Sequence, residues 1–200
     1  PNKTINERTG MQFGDGGGSE GLDIGISQYT APNGTDIDFS VTAWCFMENH
    51  TANPHYIVSR KTAYAQSWSL ELWKSCCTSL HALTFAIGTD ASTLVTASTS
   101  NFHWDVADDA RAGVWMFCAG SYCAGEGTVS AYARGGASEH RSATTTGAAN
   151  TIYNRTQADD GWHWSSVNIG NRGQTAYPWV GPIDDVRIYH RPLSESQVDA

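Results

Sequence analysis

Apolar and polar residues alternate with period two along most of this 200-residue chain. The clearest run is Asp38-Phe39-Ser40-Val41-Thr42-Ala43-Trp44-Cys45-Phe46. Phe39, Val41, Ala43 and Cys45 fall on one side of it, and Ser40, Thr42, Trp44 and Phe46 on the other. That alternation belongs to a β-strand with one buried face. It recurs at 56–59, 68–73, 83–87, 94–99, 114–119, 128–134, 167–169 and 183–189. Turn-forming groups separate the runs, among them Pro32-Asn33-Gly34, Gly88-Thr89-Asp90, Gly125-Glu126-Gly127 and Asn171-Arg172-Gly173. Helical periodicity is nearly absent. One short helical turn is predicted near the end, with Ser194 as N-cap and Gln197 three residues on. Many short strands without intervening helices predict an all-β, antiparallel two-sheet sandwich rather than a parallel α/β sheet. No repeat or composition shift divides the chain, which reads as an N-terminal extension over 1–9 and one domain over 10–200.

Composition narrows the partners. Charged residues are 16% of the chain, below the ~25% of an average soluble domain. Two packed sheets explain this, since they favour apolar and Ser/Thr alternation over helix-stabilising Glu and Lys. The net charge of −8, with basic residues scattered, argues against a nucleic-acid partner. No apolar run approaches the ~20 residues of a membrane-spanning helix. The five cysteines (Cys45, Cys76, Cys77, Cys118 and Cys123) form an odd set without a C-x-x-C pair. They read as mostly free thiols with at most one bridge, Cys118–Cys123 being the best candidate. The opening residues lack the apolar stretch of a secretory signal. With unpaired cysteines, that suggests folding in the cytosol before assembly, whereas four N-x-T triplets are weak signs of secretion.

The last forty residues carry a resemblance. Asn168-Ile169-Gly170, followed by Trp179-Val180-Gly181-Pro182-Ile183-Asp184-Asp185-Val186-Arg187-Ile188-Tyr189-His190-Arg191-Pro192-Leu193-Ser194, resembles the closing signature of the laminin G-like, concanavalin A-like jelly-roll superfamily. Met11-Gln12-Phe13-Gly14-Asp15 resembles its opening strand and Phe39-Ser40-Val41-Thr42-Ala43-Trp44 an early inner strand. Trp115-Met116-Phe117-Cys118-Ala119 resembles a later one, with Phe117 where the family usually has His. The resemblance implies a concanavalin A-like jelly roll whose first and last strands are adjacent. In 183–189, Val186 and Ile188 read as inward and Asp185 and Arg187 as outward, which puts Asp184 on the buried face. A buried carboxylate needs a cation or several donors. The resemblance makes Asp184 the first candidate ligand of a structural Ca²⁺, with Asp15 a looser second.

Candidate ligand-binding residues come from the aromatic ones. Trp162-His163-Trp164 follows a turn and sets two indoles on one side of an extended segment, and Tyr177-Pro178-Trp179 lies shortly after. Flat rings on a rim are what pyranose faces stack on, so Trp162, Trp164, Tyr177 and Trp179 form the expected site. Catalysis is not expected. Glycoside hydrolysis needs two carboxylates facing one groove. Asp36 and Asp38 sit beside a turn, and Glu71 stands alone between Leu70 and Leu72. The sequence therefore points to a noncatalytic recognition or adhesion module. Its partner would be a glycan or surface polymer, at an extracellular or particle surface. The alternative is a structural or decoration subunit of a virion or cell-surface assembly.

Overall fold

The computed structural model describes residues 2–5, 8–13, 21–24, 34–48, 54–61, 66–74, 80–90, 93–100, 102–103, 114–135, 139–148, 151–152, 167–171 and 178–199. The predicted alternating runs are strands: β5 (Phe39–Cys45), β6 (His55–Lys61), β7 (Gln66–Lys74), β8 (Leu80–Gly88), β9 (Leu94–Ser98), β11 (Met116–Cys123), β12 (Thr128–Gly135), β15 (Asn168–Ile169) and β16 (Gly181–Tyr189). Further strands are β1 (Asn2–Ile5), β2 (Arg8–Phe13), β3 (Leu22–Asp23), β4 (Gly34–Thr35), β10 (Phe102–His103), β13 (Glu139–Thr146) and β14 (Thr151–Ile152). The only described helix, α1 (Glu195–Val198), begins after Ser194, whose backbone N–H donates to Gln197 Oε1 at 3.1 Å.

Two antiparallel sheets stack face to face. The first has the order β1-β2-β16-β5-β11-β12-β13, and the second β10-β8-β7-β6-β15-β3 with β9 also on β8. As the resemblance implied, the opening β2 and closing β16 are neighbours. The segment read as an extension includes β1, which pairs with β2. The inward residues of β5, β7, β8 and β12 form one core. At its centre Phe39 meets Trp68, Phe85 and Tyr122 at ring-centroid distances of 5.3, 5.7 and 6.1 Å. Burial of each such side chain contributes about 1.5–3 kcal/mol, against the entropy of ordering the chain. Gly120 of β11 lies directly beneath the Phe85 ring, which lets the sheets approach closely there.

A strap over 190–199 crosses the outer face of the first sheet. Leu193 N–H donates to Ser40 Oγ (2.9 Å) and Ser121 Oγ (3.0 Å), and Ser40 Oγ donates to Arg191 C=O. Leu193 and Val198 pack on Ala119 and Tyr132. Arg134 holds the Asp199 carbonyl at 2.7 Å, and His140 Nε2 lies 3.2 Å from Glu195 Oε1.

Two expectations are corrected. Cys118 and Cys123 are free thiols at two points of one strand, roughly 17 Å apart along it, too far for a bridge. Asp184 does not lie on the buried face. In β16, Asp184 stands opposite Trp44 but Arg187 opposite Thr42, so Asp185 and Val186 both face Ala43 in a β-bulge. Asp185 takes a positive φ of 51° there, a conformation Asp tolerates better than most residues. The extra residue resets the alternation and turns Asp184 to the outer face, half-buried beside Trp44.

Candidate functional site

The second sheet presents a polar outer face. Trp68, Leu70 and Leu72 of β7 point into the core, so Ser67, Ser69, Glu71 and Trp73 point away from it. Register extends the face sideways. Glu71 stands opposite Tyr56 of β6 and Thr84 of β8, and Thr84 opposite Ser98 of β9. Thr84 Oγ1 and Ser98 Oγ are hydrogen-bonded at 2.8 Å. Tyr56, Ser69, Glu71 and Thr84 are buried, whereas Trp73 is 41% exposed. Trp73 is the one aromatic among the exposed large hydrophobic side chains of the described residues. Across the ladder it faces Ala82, a residue with only a methyl to offer. The exposed indole can stack on an apolar ring face, whereas Tyr56, Glu71 and Thr84 beneath it are enclosed. Trp73 did not figure among the sequence candidates. Its signal was phase: it falls with Ser69 and Glu71, not with Leu70 and Leu72.

Of the expected rim, Trp162, Trp164 and Tyr177 lie outside the described residues, as does Asp15. Trp179 is no rim platform. It is fully buried, its indole N–H donates to Phe46 C=O at 3.2 Å, and the His55 ring meets it edge-on at 6.3 Å. His55 Nδ1 in turn lies 2.7 Å from Pro178 C=O. A ring enclosed in this way has no face left for a ligand.

The carboxylates divide by role. Asp38 Oδ1 accepts the Ala124 N–H at 2.7 Å, and Asp36 sits at a positive φ of 55° beside it. Asp185 is ion-paired with Arg187 Nε at 2.7 Å. A calcium ion takes six to eight oxygens. Of the two carboxylates expected to hold one, the described residues contain Asp184 alone. No group of three or more His, Cys, Asp or Glu side chains suited to a metal gathers among them. Glu71 is the only acid on β6 to β9.

Two stacked antiparallel sheets, with the opening and closing strands side by side and a terminal strap, define a lectin-type jelly roll. The chain belongs to the laminin G-like part of the concanavalin A-like lectin/glucanases superfamily, whose family model matches residues 19–199. No curated protein sequence matches it. Solved structures share the fold. The heptameric SAP-like pentraxin of Limulus polyphemus is 14% identical, with TM-score 0.59 over 94% of this chain and 78% of its own. The enzymatically active domain of tailspike protein 2 from bacteriophage CBA120 is 13% identical, with TM-score 0.67 over 98% of this chain. This chain spans only 28% of that tailspike chain. The CBM40 module of the Ruminococcus gnavus IT-sialidase, solved with α2,6-sialyllactose, is 13% identical with TM-score 0.52, over 90% of this chain and 97% of its own.

Proposed function

We propose that this chain is a noncatalytic recognition module that binds a glycan or surface polymer on the outer face of its second sheet. The observation that carries the reading is Trp73, an aromatic side chain on the outward side of β7 that stays 41% exposed. The shared fold with a sialyllactose-bound module supports it. Glu71 is the one acid on the described strands β6 to β9, and glycoside hydrolysis calls for two carboxylates. Trp162, Trp164 and Tyr177 belong to the same proposal as a second contact region. So does a structural Ca²⁺ held in part by Asp184 and Asp15.

The test is a glycan array, with and without Ca²⁺, on the wild type, Trp73→Ala, and the pair Trp162→Ala and Trp164→Ala. Binding lost only in Trp73→Ala supports the sheet face. Binding lost only in the pair moves the site to the rim. The bound glycan should be recovered intact, and its hydrolysis would overturn the noncatalytic reading.

The likeness to a phage tailspike domain over nearly the whole chain favours a second reading, a subunit of a virion or cell-surface assembly. Either role places the chain outside the cell or on a particle, and no described helix is long and apolar enough to cross a membrane. Size in solution separates the two: a monomer that binds glycan supports the first, and a symmetric oligomer without glycan affinity the second.

A further inference from the structure

A cavity of about 320 Å³ opens at the sandwich edge, where β16 parts from β2. The ladder between them runs Gly181↔Phe13, Pro182↔Gln12 and Ile183↔Met11, and no further pair follows among the described residues. The parting coincides with the bulge at Asp185 and Val186. The second sheet supplies the facing wall, where Leu22 of β3 pairs with Ile169 of β15. Phe13, Ile169 and Ile183 line the cavity and are buried, and Val186 joins them half-buried. Met11 and Leu22 line it too, yet remain 42% and 39% exposed. Two apolar side chains thus stay partly in water beside a concave apolar wall.

The carboxylates at this edge are engaged. Asp185 is paired with Arg187 Nε at 2.7 Å. Asp184 faces the outer side of the first sheet beside Trp44 and has an interaction partner of its own. Gly10, the remaining lining residue, has no side chain to offer. A molecule entering the cavity therefore meets apolar side chains and no ionic group left to match a charge.

We propose that this cavity binds an uncharged apolar small molecule about the size of a two-ring aromatic. An apolar cavity of roughly 150 Å³ holds one benzene ring, and this one is roughly twice that size. Its volume falls at the low end of small-molecule pockets, whose linings are mainly apolar. The driving force is removal of Met11, Leu22 and the ligand from water, in proportion to the apolar area covered. A charged end of either sign would lose hydration without gaining a partner. Nothing here involves the Trp73 face, so either site can fail without the other.

1-Naphthalenemethanol is the probe, titrated into the whole chain at neutral pH with a chelator present and followed by ¹H–¹⁵N NMR. It should saturate at roughly millimolar concentration or below, as expected of so small a ligand, and shift the amides of Phe13, Ile183 and Val186. Benzyl alcohol, one ring smaller, should bind about tenfold more weakly. 1-Naphthylmethylammonium and 1-naphthoate carry opposite charges on the same rings, and each should bind no tighter than the alcohol. Met11→Asp and Leu22→Asp set a carboxylate in the lining, so each should weaken binding about tenfold or more. Their melting temperatures should change little, because both positions are exposed. Leu22→Ile, which keeps the lining apolar, should retain binding. The proposal is overturned by absence of saturable binding, by benzyl alcohol binding as tightly, by tighter binding of either charged analogue, or by binding that survives both aspartate variants. A concentration-dependent dimer lost in the same variants, without naphthalenemethanol binding, would overturn it in favour of a second copy of the chain.

Discussion

Replacing Gly120 with Ala puts a methyl group where the Phe85 ring now lies. A Cβ built at Gly120 falls 2.2 Å from Phe85 Cδ2 and 2.3 Å from Cγ, whereas carbon atoms pack at about 3.5–4.0 Å. The ring cannot simply withdraw, because Phe39 meets it edge-on and is itself held by Trp68 and Tyr122. The sheets must part locally or the aromatic cluster must leave its rotamers. Such overpacking costs about 1–3 kcal/mol. Removing a glycine from a strand offsets roughly 0.5–1 kcal/mol of that. Contacts as short as 2.2 Å put the overpacking in the upper part of its range, about 2–3 kcal/mol. The net loss of about 1–2.5 kcal/mol then corresponds to a melting temperature lower by roughly 2–10 °C for a chain of this size. Thermal unfolding followed by circular dichroism reads it directly. Adding Phe85→Leu to Gly120→Ala should recover part of the loss, since a smaller side chain makes room. An unchanged or higher melting temperature for Gly120→Ala would refute this account of how the sheets pack.

Ser40→Ala removes one of two hydroxyls holding the strap and should destabilise the protein by about 1–2 kcal/mol. Hydrogen exchange at the Leu193 amide should accelerate more than elsewhere, and uniform acceleration would contradict the local role. Burial, then the nearby Asp38 carboxylate, pushes the Tyr122 phenol up to about 12 from its ordinary 10. Between those values the unfolded chain releases a proton that the native state retains, so stability falls as pH rises through that window. Tyr122→Phe should remove that part of the alkaline loss, measured by denaturant titration across it. Calcium added after chelation should raise the melting temperature in the wild type and not in Asp184→Asn. An unmoved wild type would dismiss the ion.

The fold was legible in the sequence where alternation was strong, and illegible where edges or bulges broke it. β13 escaped notice because Arg141, Ala143 and Thr145, its inward residues, lie at the sheet edge only half-buried. No apolar alternation is required of such a strand. Asp184 was misplaced because a bulge inserts one residue without any Gly or Pro to announce it. Trp179 carries the same residue type as a rim platform. Its enclosure depends on His55 and Phe46, more than a hundred residues away, and no local pattern reports that. Trp73 could have been found from phase alone, but an outward aromatic in a strand becomes a candidate only when its exposure is known.

The most direct measurement is glycan affinity of Trp73→Ala against the wild type, with a melting curve for each. The account predicts at least about a tenfold loss of affinity, 1.4 kcal/mol or more, with the melting temperature close to that of the wild type, because the indole is 41% exposed. A folded Trp73→Ala protein that binds the same glycan as tightly as the wild type would contradict it.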